Sequence, residues 1–146
     1  MKNINRWFVL VLIMTGLQLS ACAPKAAKVE FVPPSVLEPI EGSDIQRVIL
    51  TEKAAERLDI QTSPVRDEQV NGSARKVVPY AAVIYDLSGA TWVYTNPAPL
   101  SFVRESITID FIEGDQVVLN DGPSSGTEVV TVGVAELYGA ETGVKK

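Results

Sequence analysis

The chain has 146 residues, enough for one domain of ordinary size and not for two. Thirteen Lys and Arg stand against 18 Asp and Glu, a net charge of −5. Without Lys2 and Arg6, which belong to the leader described next, 11 basic residues face 18 acidic ones, a net of −7. An acidic surface with no basic cluster excludes nucleic acid as a partner and electrostatic docking on anionic lipid.

The first 21 residues have the form of a targeting segment. Lys2 and Arg6 give a positive start, and Trp7 to Leu17 is an apolar run of eleven residues. A bilayer span needs about 20. The run is followed by Leu19-Ser20-Ala21-Cys22, which resembles the lipobox of bacterial lipoproteins. That resemblance implies cleavage before Cys22, acylation of its thiol and amine, and anchoring in membrane lipid. Several acyl chains, at about 0.8 kcal/mol per buried methylene, make such an anchor effectively permanent. Ala23 follows the cysteine; lipoproteins without Asp at that place resemble those sent to the outer membrane. The expected address is therefore the cell envelope, facing the periplasm, with the outer membrane favoured over the inner.

Cys22 is the only cysteine, there is no histidine, and both methionines lie in the leader. Once Cys22 is acylated, no thiol remains for a disulfide. Soft and borderline metals lose their usual ligands, and nucleophile–base pairs of the Ser-His or Cys-His kind are excluded. No cofactor, no metal and no catalytic residue is expected. Asp110, Glu113 and Asp115 are the carboxylates one would name for a hydrolase, but they fall at a strand-to-strand turn, where acids ordinarily face water.

Residues 22–43 are expected to be a tether. Pro24, Pro33, Pro34 and Pro39 fix their own φ and bias the preceding residues away from helix. Ala23 to Ser43 would span roughly 50–70 Å as a semi-rigid spacer. The domain proper is expected over 44–140, with a tail at 141–146.

Within it, Ile45 to Leu50 predicts a strand, and Thr51 caps a short helix over Glu52–Leu58 that needs packing through Ala55 and Leu58. Ile60 to Val65 predicts a strand whose Pro64 marks an edge, and Asn71-Gly72 a turn. Val77–Tyr85 and Thr91–Thr95 form a hairpin around Asp86-Leu87-Ser88-Gly89. Tyr80, Tyr85, Trp92 and Tyr94 either line a pocket or pack a small core. From Val103 to Phe111 apolar and polar residues alternate, the clearest strand signal in the chain. Gln116–Leu119 and Glu128–Val134 follow, with Ala135–Tyr138 either a helical turn or a strand extension. The expected fold class is mainly β: a small antiparallel β-barrel or sandwich of about seven strands with one short helix.

Val78-Pro79-Tyr80-Ala81-Ala82-Val83, Trp92-Val93-Tyr94, Gly114-Asp115-Gln116-Val117-Val118-Leu119, and the glycines at 122, 126 and 133 around Val129-Val130 carry a resemblance. Together with Leu50–Val65 they resemble the membrane-proximal domain of periplasmic adaptors, the membrane fusion proteins of tripartite efflux systems. In that family several hundred residues separate the two halves of this domain; here Val65 and Lys76 are nearly adjacent, and the usual leucine after Gly122 is Pro123. The resemblance implies the fold and a surface for a transporter or another envelope protein, but not the family's periplasm-bridging role. The alternative is a small-ligand-binding or sensing lipoprotein.

Overall fold

Two sheets and two helices share two hydrophobic clusters in this protein, and the sharing follows from the period-2 alternation of the central strands. The computed structural model describes residues 31–143, and the fold is that of the unit beginning at Pro33. The leader, Cys22 and the first part of the expected tether lie outside the described residues.

Eleven strands and two α-helices are present among the described residues. The strands are β1 (Ser35–Pro39), β2 (Gln46–Leu50), β3 (Gln61–Pro64), β4 (Arg66–Val70), β5 (Ser73–Pro79), β6 (Ile84–Tyr85), β7 (Thr91–Ala98), β8 (Ser101–Ser106), β9 (Thr108–Glu113), β10 (Gln116–Asp121) and β11 (Glu128–Val132). Helix α1 spans Glu52–Arg57 and α2 spans Val134–Thr142. One antiparallel sheet runs β1-β2-β8-β7-β11-β3, with β6 added on β7; the other runs β4-β5-β10-β9.

The mainly β class and the sandwich-like arrangement are as expected; among the described residues the strands form no closed barrel. The strand count rises from about seven to eleven for physical reasons. The expected run from Val77 to Tyr85 is broken by a 3₁₀ turn at Tyr80–Ala82, where Tyr80 N–H donates to the Asp115 carbonyl at 2.7 Å. The alternating run from Val103 to Phe111 is two strands, because the chain leaves one sheet for the other at Ile107, which is 6% exposed. Arg66–Val70, whose polar side chains give no strand signal, forms β4. Asn71 (φ 53°) and Gly72 (φ 82°) then make the two-residue turn of a β4–β5 hairpin, with Val70 opposite Ser73.

The expected tether is also shorter than its bounds. Ser35–Pro39 pairs in register with β2, Ser35 opposite Leu50 and Pro39 opposite Gln46. Pro39 is tolerated because β1 is an edge strand, where a missing N–H leaves no ladder bond unmade. β3, with its Pro64, is the other edge, as its proline predicts. Helix α1 has the expected cap, Thr51 Oγ1 accepting from Ala54 N–H at 3.2 Å, and it buries Ala54 with Ala55 and Leu58 packed beside it.

The larger sheet is covered on both faces. Val48, Leu50, Phe102, Tyr94 and Val130 face Ala54 of α1 and Val134 and Leu137 of α2. Their strand neighbours Val93 and Val129 face the other way, onto Val78, Val117 and Leu119 of the smaller sheet. Hence Thr91–Thr95 reads as a nearly continuous buried run rather than as an alternation.

Candidate functional site

The most heavily buried charges in the described structure lie where α2 crosses the larger sheet. Tyr94 on β7 and Arg104 on β8 are cross-strand partners, so their side chains emerge side by side on the helix-facing surface. Val134, Leu137, Tyr138 and Glu141 recur at helical spacing and place Glu141 over that pair.

The Glu141 carboxylate is filled from both sides. Tyr94 hydroxyl donates to Oε2, Arg104 Nη2 donates to Oε1 at 3.1 Å, and the Gln46 backbone N–H reaches Oε1 at 3.4 Å. The Glu141 and Arg104 side chains are only 3% and 13% exposed. Arg104 is also held through its flat faces, its guanidinium carbon 4.4 Å from the centre of the Trp92 ring and 5.5 Å from that of Tyr138. Its Nε is buried with no hydrogen-bond partner. Burial, and then the hydrogen bond to Glu141 and its negative charge, raise the Tyr94 hydroxyl well above the ordinary phenol range, so it stays a donor. Beside the network is a cleft of about 300 Å³ lined by Asp44, Gln46, Arg104, Glu141, Thr142 and Gly143. With both carboxylate oxygens occupied, the arrangement fits a lock that fastens α2 to the sheet.

This corrects two expectations. Glu141 is not the start of a tail but a buried residue of α2, the helix in which Ala135–Tyr138 takes the helical one of its two expected alternatives. Arg104 does not lie on a solvent face. Before the sheet switch at Ile107 the inward positions of β8 are Phe102 and Arg104, and after it the inward ones are Ile107 and Ile109, so one uninterrupted alternation serves two cores in opposite phase.

The other named residues are dispersed. Asp110 is held on the smaller sheet by Arg75 Nη2 at 2.7 Å, a group that also donates to Asn120 Oδ1 at 2.8 Å. Glu113 closes β9 and Asp115 sits in the next turn, both exposed. No group of three or more acids able to hold a metal ion occurs among the described residues. Tyr94 is fully buried and Trp92 stacks on Arg104, while Tyr80 and Tyr85 are 46% and 48% exposed, so the aromatics split between core and surface. The outer face of the smaller sheet holds a groove of about 480 Å³ with Val77, Val118 and Phe111 among the residues lining it and Glu68, Glu113 and Gln116 as polar neighbours.

The turn between β6 and β7 is built on one carboxylate. Asp86 Oδ1 accepts from Ser88 Oγ at 2.6 Å, Ser88 N–H at 2.8 Å and Ala90 N–H at 2.9 Å, and Oδ2 accepts from Trp92 Nε1 at 3.0 Å. The Ser88 hydroxyl first, and the Trp92 indole next, lower this carboxyl to about 2. A lowered folded-state value means that the contribution of Asp86 is complete above the ordinary carboxylate range near 4 and is lost as pH falls toward 2. Trp92 emission in the chain without its first 21 residues should therefore change between about pH 4 and pH 2. In Asp86→Asn that step should be absent; an unchanged step would show that another acid controls it.

A scan against protein-family models and searches of curated proteins and of solved structures return no match for this chain.

Proposed function

We propose that this chain is a non-catalytic lipoprotein of the bacterial cell envelope, held in the membrane by acylated Cys22, whose β domain binds a transporter or another envelope protein. The leader that ends at Leu19-Ser20-Ala21-Cys22 supports the anchor. The observation that carries the domain reading is the pairing between its two halves. Strand β2 pairs with β8 and β3 with β11, so Arg47–Val65 and Lys76–Gly139 build a common sheet. That is the arrangement expected of an adaptor-like membrane-proximal domain whose halves are joined directly, here across the Asn71–Gly72 turn. The domain faces the periplasm, and Ala23 favours the outer membrane.

The test is affinity capture of the anchored chain from solubilised envelopes after crosslinking, alongside a Cys22→Ser variant. A stoichiometric transporter or envelope protein with the acylated chain is the expected result. Capture of small molecules without any protein would instead favour a ligand-binding lipoprotein. Unchanged pump-dependent resistance after deletion of 44–140, with the anchor kept, would remove the efflux link.

A further inference from the structure

Three segments distant in sequence meet at one pole of the domain. Thr51 N–H donates to the Pro34 carbonyl at 3.0 Å, and Leu50 N–H donates to the Leu100 carbonyl at 2.9 Å. These bonds place the start of β1, the end of β2 and the β7–β8 turn side by side. Residues 31–37 (FVPPSVL) and 95–103 (TNPAPLSFV) contain no charged side chain, in a chain of which 21% is charged. Pro33, Pro34, Val36, Pro97, Ala98 and Pro99 are all exposed. Charges flank this pole: Glu52 and Lys53 in the first turn of α1, and Glu128, which precedes the Val129 that pairs with Thr95 near the end of β7.

The turn is stiff. Asn96 Nδ2 donates to the carbonyls of Ala98 at 2.7 Å and Ser101 at 2.9 Å. Leu100 is held at φ 60°, a conformation costly for a bulky residue and kept only where the surroundings enforce it.

We infer that this uncharged pole, formed by Pro33, Pro34, Val36 and the Pro97–Leu100 turn, rests on the surface of the bilayer in which the chain is anchored. The inference depends on the lipid anchor proposed above. Cys22 precedes Pro33 by eleven residues, at most about 40 Å of chain, and this pole is where that chain enters the fold. Four of the rim residues are prolines, which bring no backbone N–H to desolvate at the headgroup boundary. Another exposed apolar site, Leu87 with Tyr85, lies beyond the opposite end of β7, an eight-residue strand or about 25 Å away, and is flanked by Asp86.

The acylated chain in vesicles of phosphatidylethanolamine and phosphatidylglycerol provides the test, with single tryptophans added as Ala98→Trp, Val36→Trp or Leu87→Trp and lipids brominated along the acyl chain as quenchers. Quenching of the added emission at positions 98 and 36 should be at least about twice that at position 87. Equal quenching at all three, or stronger quenching at 87, overturns the inference and leaves the pole to a protein partner. Mass spectrometry of Cys22 is read separately. If no acyl group is present the anchor reading fails, and coupling the Cys22 thiol to a maleimide-bearing lipid still tests the pole.

Discussion

Glu141→Ala is expected to lower the free energy of unfolding by about 3–5 kcal/mol, because it removes one partner of a buried pair and leaves Arg104 without its counter-charge. The Tyr94 hydroxyl loses its acceptor in the same step. The loss exceeds that from an ordinary surface ion pair, such as Arg47–Glu38, where both side chains are about half exposed and the expected effect is below about 1 kcal/mol. Urea denaturation followed by circular dichroism measures it. Replacing the pair by apolar residues, Arg104→Met with Glu141→Leu, should recover much of the loss, since the cost lies in the orphaned charge rather than in the missing attraction. A Glu141→Ala protein within about 1 kcal/mol of wild type would mean that water reaches the Arg104 guanidinium and that α2 is not fastened by charge.

The second large effect is expected at the other end of α2. Gly133 precedes the helix at φ 91°, in the left-handed region, and a Cβ there would come within 2.2 Å of Ile60 Cδ1. Gly133→Ala combines backbone strain with overpacking, for a loss of about 2–4 kcal/mol. The two causes separate in a double-mutant cycle. Shortening Ile60 to alanine removes the clash but not the strain, so the two substitutions together should cost less than the sum of each alone. Strict additivity would show that Ile60 already turns aside and that strain accounts for the whole effect. By contrast Gly72, Gly89 and Gly126 would meet nothing within 4 Å, and only their positive φ resists a side chain there.

Much of the fold was legible because local chemistry and tertiary structure agree. Thr51 caps where its hydroxyl can reach Ala54 N–H, Pro64 marks an edge because it has no N–H to give, and Asn71-Gly72 turns because both residues accept positive φ. What stayed hidden depends on partners far along the chain. Ser35–Pro39 looks like spacer from its prolines, and only pairing with Gln46–Leu50 makes it a strand. The alternation through Val103–Phe111 cannot reveal that its inward side changes at Ile107, since a strand that switches sheets keeps its period. Glu141 looked like tail because Gly139, Thr142 and Gly143 weaken the local helix signal. The signal that would have found it is the spacing of Val134, Leu137, Tyr138 and Glu141, which puts an acid on an otherwise apolar helix face.

The doubly covered central strands have a consequence for cooperativity. Val93 and Tyr94 are consecutive, as are Val129 and Val130, yet each pair divides its side chains between the two hydrophobic clusters. A helix layer cannot come away without baring Tyr94 and Val130, whose backbone is the support of the other cluster. The smaller sheet is bound to the helices in the same reciprocal way through Val93 and Val129. Two cores that share a backbone melt as one, so tryptophan emission from the helix side and backbone ellipticity from both sheets trace a single transition. The domain then has no half-folded form in which an unpaired sheet is exposed.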